Sequence, residues 1–198
     1  RATDVPSDGT GHRAAIAETS HEASILLVAV PRLNQSCFIE ASIKYGGEQP
    51  LLSGQANLFR DEEFSGVAPL KSTAPGEKIV LGFGQDDLVK IDRKLLDQKG
   101  ADASGFTTKD SRRYRWVTTV KNSHTGPRTI EVREQLPRSK RKEITVETAE
   151  LSPTPAPEDP NKPGLLLWKL DLASQAEQKI VFSYRVKYPE GSNITGLE

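Results

Sequence analysis

Four side chains in this sequence could supply a nucleophile or a base: Cys37, His12, His21 and His124. A hydrolase needs a nucleophile, a base and an orienting acid within hydrogen-bonding distance of one another. Cys37 shares the apolar parity of a strand pattern with Ile39 and Ile43, which predicts a buried, unreactive thiol. His124 falls in a turn, and His12 and His21 have no cysteine or aspartate at metal-ligand spacing. These residues therefore predict neither a hydrolase nor a metal site.

Two groups of adjacent acids could bind calcium or act as general acid and base: Asp61-Glu62-Glu63 and Asp86-Asp87. Adjacent acids in turns are generally solvated, and neither group has the alternating oxygen ligands of a calcium loop. We expect no cofactor and no catalytic residue. An enzyme that uses these acidic turns is the third of three functions considered.

Charge argues against nucleic-acid binding. The 27 basic residues equal the 27 acidic ones, so the formal net charge is zero and no global field attracts a polyanion. The basic run Arg138–Lys142 has no interleaved aromatic residue on which a base could stack. We interpret this run as the charged tip of a hairpin. Gly82 and Gly84 complete no phosphate-binding motif.

Aromatic residues suggest a second function, carbohydrate binding, because sugar-binding sandwiches display rows of aromatic rings. The candidates are Tyr114, Trp116 and Trp168. Each lies on the apolar parity of its strand, and tryptophan in a sandwich usually packs between the sheets. Trp168 has leucines at the alternate positions on both sides. The pattern therefore favours packing over sugar binding.

The elements that must position these residues read as strands, because apolar residues recur with period two. The clearest examples are Cys37–Tyr45, Arg112–Asn122, Arg128–Leu136, Glu143–Leu151, Gly164–Leu172 and Gln178–Tyr188. Asp86–Gln98 also fits a helix but is predicted as a strand. Ile25–Val30 is apolar at both parities, which predicts a strand covered on both faces.

The fold class expected is all-β, with two tandem antiparallel β-sandwich-like domains in 198 residues. We place an N-terminal β domain at 1–105 and a second domain at 106–198. The second domain resembles the immunoglobulin-like modules of bacterial surface proteins, with Trp168 between its sheets. That resemblance concerns architecture and not chemistry.

Composition leaves the compartment open. One cysteine allows no internal disulfide, and no apolar run approaches the ~20 residues of a membrane-spanning helix. The sequence contains no methionine, even at position 1, which suggests a fragment or a processed product. The cell envelope is favoured over the cytoplasm.

A family resemblance rests on several segments in a fixed order. They are Val5–Thr10, Val30–Leu33, Gly54–Asp61, Ala74–Glu77, Leu81–Gly84, Tyr188–Glu190 and Gly196-Leu197. Together they resemble the C-terminal domain of unknown function in mucoidy-inhibitor-type proteins. The resemblance implies an all-β region that follows another β domain and a coiled coil. It implies no established activity or ligand.

The function expected is a non-catalytic, C-terminal assembly or protein-binding module of a larger protein. It would make contact through sheet edges and loops. Its partner would be another protein or other domains of the parent chain, which could oligomerise through the coiled coil. A carbohydrate-binding module is the alternative.

Overall fold

A computed structural model describes residues 8–9, 18–99 and 109–192, which form ten β-strands and no helix. The strands are β1 Ala23–Ala29, β2 Ser36–Lys44, β3 Gly54–Arg60, β4 Glu63–Leu70, β5 Lys78–Lys99, β6 Lys109–Asn122, β7 Arg128–Gln135, β8 Thr145–Ser152, β9 Leu165–Leu172 and β10 Glu177–Pro189. His12 and the domain boundary predicted near residue 105 lie outside the described residues. Within the described residues, no helix is long and apolar enough to span a membrane.

Eight of the strands form a single sheet in the order β8-β10-β6-β5-β2-β1-β7-β9, and β3 pairs with β4 in a separate hairpin. All neighbours are antiparallel except β1 and β7, which are parallel. The all-β prediction is confirmed. Two tandem sandwiches are not, because β1, β2 and β5 from the first half lie between two groups of strands from the second half.

The sheet curls around one hydrophobic core. Alternate residues of seven strands point inward, as the period-two pattern predicts. The buried cluster is Leu27, Ala29, Cys37, Ile39, Val89, Ile91, Tyr114, Val120, Ile130, Val132, Trp168, Leu170, Leu172, Ile180, Phe182, Tyr184, Val186 and Tyr188. The chain that follows β8 bridges to β9, where Ala156 N–H donates to the Leu167 carbonyl at 2.7 Å. The two ends of the strand order are thereby joined.

Three local predictions have clear outcomes. Asp86–Gln98 is a strand, as predicted, within the long strand β5. The prediction that Ile25–Val30 is covered on both faces is wrong for its first half, since Ile25 is 63% exposed and only the stretch Leu27–Ala29 is buried. The cause is that β1 begins beside an open cavity, which Ile25 lines.

The basic run Arg138–Lys142 is exposed, but it is not the tip of a hairpin. Strand β7 pairs with β1 and β9, whereas β8 lies at the opposite end of the sheet order and pairs with β10. The run therefore belongs to a crossover loop. The alternation of the sequence predicts strands β7 and β8, but it does not indicate which strands they pair with.

The cavity beneath the hairpin as candidate functional site

The β3–β4 hairpin covers part of one face of the main sheet. Its turn residues Asp61 and Glu62 have φ angles of 49° and 69°, the left-handed conformation that a tight two-residue hairpin turn requires. Both side chains are exposed, so these two acids of the first acidic group form a turn. A hydrogen bond of 2.9 Å from Ser65 Oγ to the Phe83 carbonyl fixes the hairpin to β5, and Leu58 of the hairpin is buried.

A cavity of about 670 Å³ lies between this hairpin, the strands β1, β2 and β5, and the turn that joins β6 to β7. Its apolar lining comprises Ile25, Leu27, Ile39, Phe59, Phe83 and Pro127. Its polar lining comprises Arg60, Asp86, His124, Arg128 and Thr129. Leu27 and Ile39 are buried, whereas Arg60 and Arg128 are exposed. The cavity therefore has an apolar floor and a cationic rim.

Asp86 and His124 meet in this lining, although 38 residues separate them in the sequence. His124 Nε2 lies 3.0 Å from each carboxylate oxygen of Asp86. A carboxylate only accepts hydrogen bonds, so Nε2 carries the hydrogen in this contact. The Leu88 N–H also donates to Asp86 Oδ1 at 3.0 Å. The carboxylate is thus satisfied by two donors, and Nε2 is not available as a base.

Asn122, the last residue of β6, holds His124 in place. Its side chain is fully buried, and its Oδ1 accepts the His124 backbone N–H at 3.0 Å. Its amide Nδ2 lies 3.0–3.1 Å from three backbone carbonyls, those of Gly126, Leu172 and Ala173. Asn122 therefore ties the β6–β7 turn to the end of β9. Sequence reasoning treated Asn122 only as the last residue of the predicted strand Arg112–Asn122.

Cys37 lies opposite Asp86 in the register of β2 and β5. Its side chain is fully buried, as predicted. Burial, reinforced by the negative charge of Asp86, raises the pKa of the Cys37 thiol to about 12, so the nucleophilic thiolate is not populated at neutral pH. No hydrogen bond joins Cys37 to His124 in the described structure.

The arrangement supplies a histidine and an orienting acid but no activated nucleophile among the described residues. Thr129, the hydroxyl in the lining, donates to Asp171 Oδ1 at 2.6 Å. The described residues also contain no group of three His, Cys, Asp or Glu side chains that could hold a metal ion. What the cavity offers chemically is an apolar volume with positive charge at its entrance.

The other candidate residues lie elsewhere. His21 contacts Thr19 Oγ1 at 3.1 Å and the Tyr45 ring edge-on. The three aromatic residues proposed for carbohydrate do not form a surface row, since Tyr114 and Trp168 are buried and Trp116 packs against the core. The Trp168 Nε1 donates to the Pro153 carbonyl at 2.6 Å, which completes the burial of the indole.

A second polar feature, missed in the sequence, lies inside the curled sheet. Arg93 on β5 pairs with buried Glu134 on β7, with Nε 2.8 Å from Oε1. The Arg93 guanidinium also stacks on Trp116, 3.6 Å from the ring centroid. Burial raises the pKa of the Glu134 carboxyl, and the positive charges of Arg93 and Arg32 oppose that rise. The signal was present, because Glu134 shares the inward parity of Ile130 and Val132.

The fold and the cavity together define an all-β domain built on one curled sheet, with a hairpin over a partly apolar cavity. The chain belongs to the DUF4139 family, described only as a domain of unknown function, whose model matches residues 1–190. It is 27% identical over 177 residues to Protein F37C4.5 of Caenorhabditis elegans. That similarity covers 84% of this chain and 32% of the worm protein, so the chain spans about a third of its relative's length. No solved structure matches the chain.

Proposed function

We propose that this chain is a non-catalytic protein-binding module of a longer protein, and that exposed apolar side chains of the β3–β4 hairpin form its contact surface. The observation that carries the proposal is a cluster of exposed apolar side chains, hereafter the hairpin patch: Phe59, Phe64 and Val67, which are 57%, 61% and 53% exposed. The two phenylalanine rings meet edge-on at 5.6 Å. Grouped apolar side chains on a surface mark interaction sites more often than scattered ones do.

The register of the hairpin explains why these side chains share a surface. Phe59 is paired with Phe64, and Val67 is paired with Asn57, two residues before Phe59. Leu58 alternates with this set and is buried. The register thus groups these large apolar side chains on one surface of the hairpin, and Phe59 of this surface also lines the cavity. Aromatic residues are enriched at protein interfaces.

A non-catalytic role is supported by the lack of an activated nucleophile beside His124 and Asp86 among the described residues. Cys37 is held as a buried thiol, and the Thr129 hydroxyl donates to Asp171. The resemblance to mucoidy-inhibitor-type proteins adds the expectation of a C-terminal position in a longer chain. The partner is then another protein or another domain of the same chain. Carbohydrate binding receives no support from Tyr114 and Trp168, whose rings are buried.

Site-specific photo-crosslinking tests this proposal in the full-length protein, in the cells that produce it. A photoreactive phenylalanine replaces Phe64 in one variant and Leu96 in a matched control, since Leu96 is equally apolar and 57% exposed but lies on β5. We expect a discrete cross-linked product from position 64 that disappears when Val67→Asp is added. Equal products from both positions, or none from position 64, would refute the assignment of the hairpin patch.

A further inference from the structure

We infer that the cavity beneath the hairpin binds an anionic amphiphile, a small molecule with an apolar chain that ends in a carboxylate or phosphate group. The cavity volume of about 670 Å³ falls within the 300–1,000 Å³ typical of small-molecule sites. Such sites combine mostly apolar walls with a few polar groups that fix the orientation of the ligand. This inference concerns the isolated chain and does not depend on the hairpin patch having a protein partner.

The depth of the lining residues gives the orientation of the ligand. Leu27 and Ile39 are buried and form the floor, and Phe83 is partly buried beside them. An apolar chain inserted here removes both its own surface and these side chains from water, which stabilises the complex in proportion to the apolar area buried. The apolar end of the ligand therefore points inward.

The charges of the lining select an anionic head group. Among the described residues, no carboxylate forms an ion pair with Arg60 or Arg128. The Arg128 Nη1 donates to the Pro127 carbonyl at 2.9 Å, which leaves most of its five donors unused. Guanidinium groups recognise carboxylates and phosphates through paired hydrogen bonds. Both arginines are exposed, so the head group would lie at the rim.

The one acid of the lining does not oppose this selection. Asp86 is buried and already accepts hydrogen bonds from His124 Nε2 and the Leu88 N–H. Two arginines against one aspartate leave the lining with a net positive charge even when His124 is neutral. A cationic head group would have to displace His124 from Asp86 and approach two guanidinium groups, which like-charge repulsion disfavours.

Titration of the 198-residue chain with amphiphiles of equal chain length tests the inference. Decanoate and decyl phosphate supply the two anionic head groups, decanol is neutral and decyltrimethylammonium is cationic. Isothermal titration gives the affinities, and amide NMR shifts at Leu27, Ile39 and Phe83 locate the site. We expect saturable binding of at least one anion, with decanol weaker and the cation weakest.

The double variant R60Q/R128Q removes the rim charges. It should weaken binding of the preferred anion about tenfold and leave the affinity for decanol unchanged. The matched control R138Q/R141Q makes the same charge change in the exposed crossover loop and should have no effect. Equal affinities for decanoate, decyl phosphate and decanol, or a preference for the cation, would overturn the inference. NMR shifts confined to other surfaces would also overturn the inference. So would tighter binding of an acetylated trileucine peptide with a free C-terminal carboxylate, because that result would indicate recognition of a peptide terminus.

Discussion

The buried ion pair between Arg93 and Glu134 predicts a pH-dependent loss of stability when it is broken. The substitution Arg93→Met removes the guanidinium, keeps most of the apolar stem and leaves Glu134 buried without its partner. Removing one member of a buried pair costs about 3–5 kcal/mol, because the remaining charge stays desolvated. Loss of the stacking on Trp116 adds about 0.5–2 kcal/mol. We expect a large destabilisation at neutral pH.

The pH dependence follows from the raised pKa of Glu134. Burial raises the pKa of the Glu134 carboxyl, whereas the charge of Arg93 and its hydrogen bond to Glu134 lower that pKa. Arg93→Met should therefore raise the pKa of Glu134 further. A carboxyl whose pKa is higher in the folded protein binds its proton more tightly there than in the unfolded chain. Its contribution therefore favours folding below the unfolded pKa of about 4.3 and is lost as the pH rises through the folded pKa. The variant should be closer to the parent in stability at acidic pH than at pH 7.

Urea unfolding of the parent and the variants, monitored by tryptophan fluorescence at acidic pH and at pH 7, measures these differences in stability. The double variant R93M/E134Q replaces the unpaired Glu134 carboxylate by a neutral amide. It should recover part of the stability lost in R93M at pH 7. R133Q is the control, since the contacts of Arg133 with Glu40 and Glu131 are only half-buried. Equal destabilisation of R93M at both pH values, with no recovery in the double variant, would refute the reasoning.

Three further predictions concern other parts of the molecule. Trp168→Ala should lower the unfolding free energy by roughly 3–5 kcal/mol, because burial is lost and a cavity is left. Iodide should fail to quench the fluorescence of Trp168 in a Trp116→Phe background, and ready quenching would contradict the packing. Cys37 should resist a thiol reagent in the folded protein at pH 8, since its pKa is about 12, and should react fully in urea. Neutralising the lysines and arginines of Arg138–Lys142 should change the unfolding free energy by no more than about 0.5 kcal/mol, whereas a fall of many degrees in melting temperature would show a docked loop.

Strand positions could be predicted because side-chain parity is a local property. The long strand β10 occupies Glu177–Pro189, and its alternation from Ile180 to Tyr188 is visible in the sequence. Strand order is a property of the whole chain. The parallel pairing of β1 with β7 joins residues about 100 positions apart, and nothing in either segment specifies the other. No local sequence pattern therefore argued against two successive sandwiches.

The candidate site was less predictable than the fold because its parts come from distant segments. Asp86 and His124 were both considered in the sequence, but Asp86 was grouped with solvated acids and His124 was assigned to a turn. Arg60 and Arg128 have no distinctive local pattern, and they meet around one cavity only because the hairpin covers the start of β1 and β7. Glu134 could have been found, since a glutamate on the buried parity of a strand requires a partner.

Asn122 connects the architecture of the core to the geometry of the cavity. The fully buried Asn122 amide donates to carbonyls of two different turns. Its burial costs little folding free energy only while those hydrogen bonds are made. The same side chain accepts the backbone N–H of His124 and so fixes the imidazole beside Asp86. The polar lining of the cavity therefore depends on the closing of the β6–β7 turn against the end of β9.

This dependence predicts the behaviour of Asn122→Ala. Leaving buried carbonyls and the His124 N–H without their partner should cost about 1–3 kcal/mol of the unfolding free energy. The ring NMR signals of His124 should also change, because the turn no longer holds the imidazole against the carboxylate. Ser174→Ala is the matched control, since it removes only an exposed hydrogen bond of 2.9 Å to the His124 carbonyl. Unchanged ring signals in a destabilised Asn122→Ala protein would show that His124 is positioned without Asn122, which would refute the proposed link between core and cavity.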